Sequence, residues 1–367
     1  MRLTATAGAL LLAAAACLAA EKPDARARFS AFQPKLRSAS AAERQQAYQA
    51  YLNGGDEGRT LLRAELLGVR RAMLAACREG YLPASSQDKL TTVHTKLTAA
   101  RKEALRVIFD KKIYPDANHG RSGQPIVDQA VDRVKAIFPV HQRAFGPAVK
   151  RFARAMAAHQ RILEVDAQLA RCGATDGLQL KPSLEKAVGP GTRPELLAIL
   201  VQLVDYRRHC TRVIRYNRAV FTTATDDERK LIDRTNQYRM QLGLKLLAIS
   251  EPLVQAARRH SQEMARLGYF GHTSPTPANR SPGRRCANQG YRHFAGENCM
   301  SGGGPDAAFR GWYNSSGHHR NMLNPRINEI GVGHGGPWTE DLGARSSLDL
   351  DNPPRSRPKK TPPPKKR

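Results

Sequence analysis

The chain has 367 residues, 41% hydrophobic but only 6% aromatic, and 59 Lys and Arg against 32 Asp and Glu give a formal charge of +27. This length accommodates two domains, and the apolar content excludes a wholly disordered or fibrous chain. So basic a field attracts polyanions, which makes nucleic acid, anionic lipid and acidic glycan the partner classes to separate.

The first twenty residues address that choice. Met1-Arg2 gives a positive start, the run from Ala7 to Ala16 is apolar, and small residues follow. This reads as a secretory signal peptide over 1–20, too short for a membrane span. Cleavage after Ala20 is the preferred reading. Lipidation of Cys17 is the alternative, although Ala14 stands where a lipobox usually has Leu. Either route exports the protein to periplasm, cell surface or medium. Export removes nucleic acid from the expected partners and leaves an anionic envelope polymer or lipid surface. Oligomeric state is not legible.

A flexible lead is expected over 21–39, which contains Pro23 and Pro34. Ser40 and Glu43 have the spacing of a capping box. Helices are then predicted from Asp56 to Glu79 and from Ser85 to Lys111, the latter with Leu90, Val93, Leu97, Ala100, Ala104 and Ile108 on one side. The segment from Tyr114 to Pro125 carries Asp116, Asn118, His119 and Ser122. It reads as a polar crossover rather than a ligand loop, because its spacing fits no metal loop. Helices are predicted again over Val127–Phe138, with a break at Pro139, over Val140–Arg171, and over Glu195–Asn217. Residues 40–225 therefore read as a basic all-α bundle of five or six helices without a catalytic motif. Its cationic faces are either plain solvated surface or a means of adhering to an anionic envelope.

A second domain is expected over 226–343. It opens with a helix from Leu231 to Leu242. Ser250 caps the next helix with Pro252 in its first turn, and Leu253, Ala257, His260, Met264 and Leu267 share one face. That spacing makes His260 a packed core histidine. After Gly271 loops and short strands are expected, with Gly331-Val332-Gly333 and Trp338 at strand ends. Residues 344–367 are charged and rich in Pro, and read as a disordered tail.

The stretch from Gly268 to Gly343 sets His and Glu among Gly, Asn and aromatic residues, as loops shaped around a site would. In order it contains NQYR at 236–239, GLKLL, AARRHSQEMA, GYFGHTSP, GENC, GWYNSSGHHRNMLNP, IGVG and WTEDLG. This series resembles the CAP superfamily, or SCP domains, of cysteine-rich secretory proteins, antigen 5 and pathogenesis-related proteins, and most closely its bacterial branch. It covers about 231–343. The resemblance implies an α/β/α sandwich there, so the fold class is α+β, an N-terminal helical bundle followed by a CAP-type sandwich.

The resemblance also implies a cleft in which two His and two Glu can hold a divalent metal. His272 takes the first His position, Glu297 the Glu of GEN, and His318 the His of the S-x-GH pattern. Ser315, three residues after Trp312, stands where eukaryotic members place a second Glu. His272, Glu297 and His318 are thus the candidate metal ligands, for an ion such as zinc, and equally the candidate acid–base groups. His319 ranks second, and His334 lies nearby in sequence. Asn298 and Asn321 read as loop-fixing side chains, and Arg320 as an anchor to a carboxylate. None of Ser274, Ser301, Ser315 and Ser316 sits in a nucleophile elbow.

In an oxidising compartment the cysteines should mostly pair. Cys286 and Cys299 flank one short loop, and a bridge there is worth about 3 kcal/mol in the chain-entropy model. Cys172 and Cys210 form a second, less certain pair, and Cys77 is left over. Three functions follow. The first is an exported binding module for metal, lipid or envelope glycan or peptide, without turnover. The second is a structural envelope-adhesion protein, and the third a metal-assisted hydrolase using the His/Glu/His set. The missing base–nucleophile pair argues against an enzyme.

Overall fold

The computed structural model describes residues 25–116, 123–173, 178–189 and 191–356. The expected signal peptide with Cys17, the loop residues Asn118, His119 and Ser122, and the end of the tail lie outside them. In chain order the elements are α1 (Ala25–Phe29), α2 (Ala41–Asn53), α3 (Gly55–Arg78), α4 (Ala84–Phe109), α5 (Gln124–Arg171), α6 (Leu184–Val188), α7 (Pro194–Ala219) and α8 (Asp226–Gln241). There follow β1 (Ala248–Ile249), α9 (Glu251–Leu267), α10 (Pro282–Asn288), β2 (Phe294–Met300), α11 (Pro305–Tyr313), α12 (Ser316–Leu323), β3 (Glu329–His334) and β4 (Trp338–Gly343). Among the described residues no helix is long and apolar enough to cross a membrane.

The expected helices form, with one difference. Instead of breaking at Pro139, α5 runs unbroken for 48 residues through both Pro139 and Pro147. A proline removes one backbone donor and crowds the preceding turn. Here the apolar stripe of Val127, Ala130, Val131 and Val134, all in the core, holds the helix through the first of them.

The chain divides into two compact units, Met1–Ala84 with Lys150–Leu197 and Ser85–Val149 with Ala198–Arg367. Each is built from two segments, so neither boundary falls at the expected junction near 225. In the first unit the core is Tyr48, Tyr51, Leu62, Leu66, Val69, Val165 and Leu169. The lead expected to be flexible contributes to it: Phe29 stacks on Tyr51 with ring centroids 4.6 Å apart, and Leu36 is buried. Arg70 Nε donates to the fully buried Asp166 at 2.6 Å, and Asp166 also accepts from the backbone N–H of Lys181.

In the second unit one core joins α4, the start of α5 and the end of α7 to the sheet. Leu97, Ile108, Val127, Val131, Tyr216 and Val220 pack in one cluster with Trp312, Ile330, Trp338 and Leu342. The four strands lie in the order β1-β3-β4-β2, with β1 parallel to β3 and the other pairs antiparallel. Helices cover both faces. On one, α9 packs so closely on β3 that a Cβ at Gly331 would stand 2.2 Å from the Val254 nitrogen, and one at Gly333 2.0 Å from that of Arg258. On the other, Thr235 of α8 donates to Glu340 at 3.2 Å. A capping box, in which Thr225 and Glu228 each accept the other's backbone N–H, starts α8. These layers form the expected α/β/α arrangement. Past Gly343, Leu348 and Leu350 pack against the same core, and Arg212 binds Asp351 through two bonds. Two leucines among the charges tie down the described part of the segment expected to be disordered.

Candidate functional site

The site forms along β2, an edge strand of the sheet. Side chains alternate between faces along a strand. Glu297 and Cys299 therefore turn to one face and Asn298 to the other. Glu297 stands opposite Asp341 in the register, and Asn298 opposite Glu340. Asn298 Nδ2 donates to Glu340 at 2.8 Å and to the carbonyl of His318 at 3.2 Å. Asn321 Nδ2 donates to Asn298 Oδ1 at 2.9 Å and to the carbonyl of Glu297 at 3.2 Å. The two asparagines thus fix α12, which carries His318, to the strand that carries Glu297.

The loop after α9 brings His272 to the same place. The C-terminal cap of α9 is Gly268 at φ 69, a left-handed position that favours glycine. The loop is held by Glu263, which accepts from Tyr269 at 3.0 Å, Ser274 at 2.9 Å and Asn279 at 3.2 Å. Burial would raise the Glu263 carboxyl, but hydrogen bonds from Thr276, Asn279, Ser274 and Tyr269 outweigh it and hold it at about 2. His260 is fully buried, and its Nε2 donates to the Gly271 carbonyl at 2.9 Å, since a carbonyl only accepts. It is the core histidine its helical face predicts.

His272, half exposed, donates from Nδ1 to Glu297 Oε1 at 2.8 Å. The other oxygen, Oε2, accepts from the buried guanidinium of Arg285 at 2.6 Å, and Arg285 also binds the carbonyls of His272 and Asn279. Burial would raise the Glu297 carboxyl, but His272 and Arg285 outweigh it and keep it lowered. Beneath it, burial and the charge of Glu297 push the Asp341 carboxyl well up, so the lower acid is the one that keeps its proton. The His318 ring faces that of His272 with centroids 6.2 Å apart. Burial, then His272, lowers His318 to about 4, which leaves a neutral imidazole near pH 7.

The structure thus gathers His272, Glu297 and His318 at one edge. Two imidazoles and an ionised carboxylate are donors that fit a first-row divalent ion. His319 does not join them. It is fully buried, 2.8 Å from the Tyr238 hydroxyl, and held down to about 3, first by burial. His334, at the end of β3, stacks on Trp338. Arg320 is an anchor to a carboxylate as read: it binds Asp116 and donates to the carbonyls of Ile108 and Tyr114. Asp116 also pairs with Lys111, so this part of the crossover loop supports α12.

The expected disulfides are absent. Cys77, Cys172, Cys210, Cys286 and Cys299 are all free thiols. Cys172 and Cys210 belong to different units. Cys286 on α10 and Cys299 on β2 are both buried, but the Cys299 sulfur turns to the site, 3.7 Å from Glu297 Oε1 and 3.8 Å from His272 Nδ1. Burial, then Glu297 and Asp341, push that thiol up, so it is no ready nucleophile. Glu263, Arg285 and Cys299 were missed as site residues. The alternation Glu297-x-Cys299 was the available signal for the last.

Helices on both faces of a small mixed sheet, with a His/Glu/His edge, define a CAP domain. Residues 232–337 match the model of the cysteine-rich secretory protein family. Two curated relatives are bacterial. The uncharacterized protein YkwD of Bacillus subtilis is 39% identical over 119 residues, 31% of this chain and 46% of its own length. The uncharacterized membrane protein YlbC of the same organism is 34% identical over 113 residues, 30% of this chain and 32% of its own. The chain thus spans less than half the length of either relative. Among solved structures, an extracellular SCP-domain protein from Bacillus anthracis is 31% identical with a TM-score of 0.31, covering 32% of this chain and 40% of that one. An outer surface protein from Borrelia burgdorferi is 20% identical with a TM-score of 0.30, covering 35% of this chain and 99% of that one.

Proposed function

We propose that this is an exported cell-envelope or extracellular protein whose CAP domain is a binding module. It holds a divalent ion such as zinc at His272, Glu297 and His318, and its basic surface meets an anionic envelope polymer or lipid. The observation that carries the reading is the clamped carboxylate. Arg285 takes Glu297 Oε2 and leaves Oε1 facing His272, at an edge where His318 is neutral. The formal charge of +27 favours the anionic partner. Export rests on the charged start and apolar run of residues 1–20. A binding role is preferred to hydrolysis because, of the described thiol and hydroxyl nearest this edge, the Cys299 thiol is raised and the Ser274 hydroxyl is buried.

Calorimetric zinc titration of the full chain tests this, beside a His272→Ala, His318→Ala double variant. Saturable one-to-one binding, lost in the double variant, is expected. A parent chain that takes up no zinc would overturn the metal reading.

A further inference from the structure

The donor set read from the sequence, His272, Glu297 and His318, holds one anion and lacks a second. We propose that Cys299 supplies it, as a thiolate ligand to the metal held by His272 and Glu297. The inference rests on the metal reading above and goes beyond it, since a cysteine was expected to be locked in a disulfide there.

Three atoms converge. Glu297 Oε1 is 2.8 Å from His272 Nδ1 and 3.7 Å from Cys299 Sγ, and Sγ is 3.8 Å from Nδ1. Nitrogen, oxygen and sulfur around one tetrahedral zinc ion, at ordinary bond lengths, stand about 3.3 to 3.6 Å apart. Each observed separation therefore needs a change of about 0.5 Å or less to fit that geometry. The donor atoms of Cys299, Glu297 and His260 also lie within 4.8 Å of one another. His260 is committed elsewhere, because its Nε2, 4.0 Å from Glu297 Oε1, donates to the Gly271 carbonyl. His272 remains as the nitrogen donor of this trio, and its half-exposed ring gives the ion a way in.

Charge supports the same set. Glu297 already balances the buried Arg285 guanidinium, so a divalent ion brings two further positive charges to a largely buried position, and a thiolate offsets one of them. On binding, the S–H proton of Cys299 leaves to solvent and His272 carries its one ring proton on Nε2 instead of Nδ1, so that the sulfur and Nδ1 lone pairs go to the metal with the imidazole still neutral. A thiolate in the set also selects: zinc and cobalt fit it, whereas magnesium and calcium demand oxygen ligands.

Cobalt(II) titration of the full chain, followed in the near-ultraviolet, reads sulfur ligation directly. The parent and Cys286→Ser, which keeps Cys299, are expected to show the thiolate-to-cobalt charge-transfer band, and Cys299→Ser to lose it. Zinc Kd is expected to rise at least about tenfold in Cys299→Ser. Should that variant not fold, cadmium-113 resonances of the parent and of Cys286→Ser answer without it, a thiolate-range shift in both supporting the proposal. Cobalt bound by the parent without the band, or a band that survives in Cys299→Ser, would overturn sulfur ligation and leave the His/Glu metal site standing. No ion bound by the parent would overturn both.

Discussion

Glu263 sets the shape of the site without being one of its candidate ligands. Its carboxylate gathers Tyr269, Ser274 and Asn279, so the loop that presents His272 is held by one buried anion. The folded carboxyl titrates near 2, below its ordinary value of 4.5. An acid depressed by folding contributes stability that is fully present above its unfolded value and is lost as pH falls through the folded one. Replacement of Glu263 by Gln is therefore expected to cost about 2 kcal/mol at pH 7, the scale of hydrogen bonds to a charged group. Most of that difference should vanish by pH 2. Chemical denaturation at the two pH values measures it, and a pH-independent cost would refute the account. Single residues were unevenly legible. Asn298, Asn321 and His260 behave as their types and positions suggested. Cys299 did not: its thiol is free and lies beside Glu297, and the face of the sheet it takes is set by the register of β2 on β4.

At the scale of elements, the contact of α9 with β3 fixes the layer spacing. Gly331 and Gly333 leave the backbone of α9 almost against the strand. A methyl group at Gly331 would meet main-chain atoms on two residues of α9, which cannot move without shifting His260 and Glu263 on the same helix. Gly331→Ala is expected to destabilise the unit by about 3 kcal/mol or more, at the upper end of overpacking costs, and to weaken zinc binding as well. Thermal unfolding and the zinc titration check both effects. The helices themselves were readable because apolar residues recur at three and four, and their ends fell within a few residues of expectation. Pro139 misled because local chemistry is a weak guide where a long apolar stripe is buried on both sides of the proline. Phe29, Leu36, Leu348 and Leu350 misled for the opposite reason. Each belongs to a short apolar pair or trio among charged residues and prolines, too brief for a sustained periodic signal.

At the scale of the molecule, the second unit is more than a CAP domain. Ile108, Val127, Val131 and Tyr216, from outside the 232–337 segment, share one core with Trp312 and Trp338. Arg320, beside the site histidines, is anchored on the carbonyls of Ile108 and Tyr114. Residues 226–343 produced alone should therefore expose apolar surface and lose part of their stability. The expected result is a lower Tm and stronger binding of a hydrophobic dye than for the full chain. Equal thermal stability of the two would show that the preceding helices contribute nothing to the domain.

What the sequence by itself determined was local and ordered. It specified the helical segments and a motif series whose order identified the CAP region. Each of these depends on neighbours in the chain or on a fixed succession of short patterns. What only the tertiary structure decided was relative position. Examples are the sharing of one core between distant helices and the sheet, the withdrawal of His319 into the interior, and the approach of Cys299 to Glu297 and His272. These follow from strand register and helix packing, which are properties of residues far apart in the chain and leave no periodic trace in it.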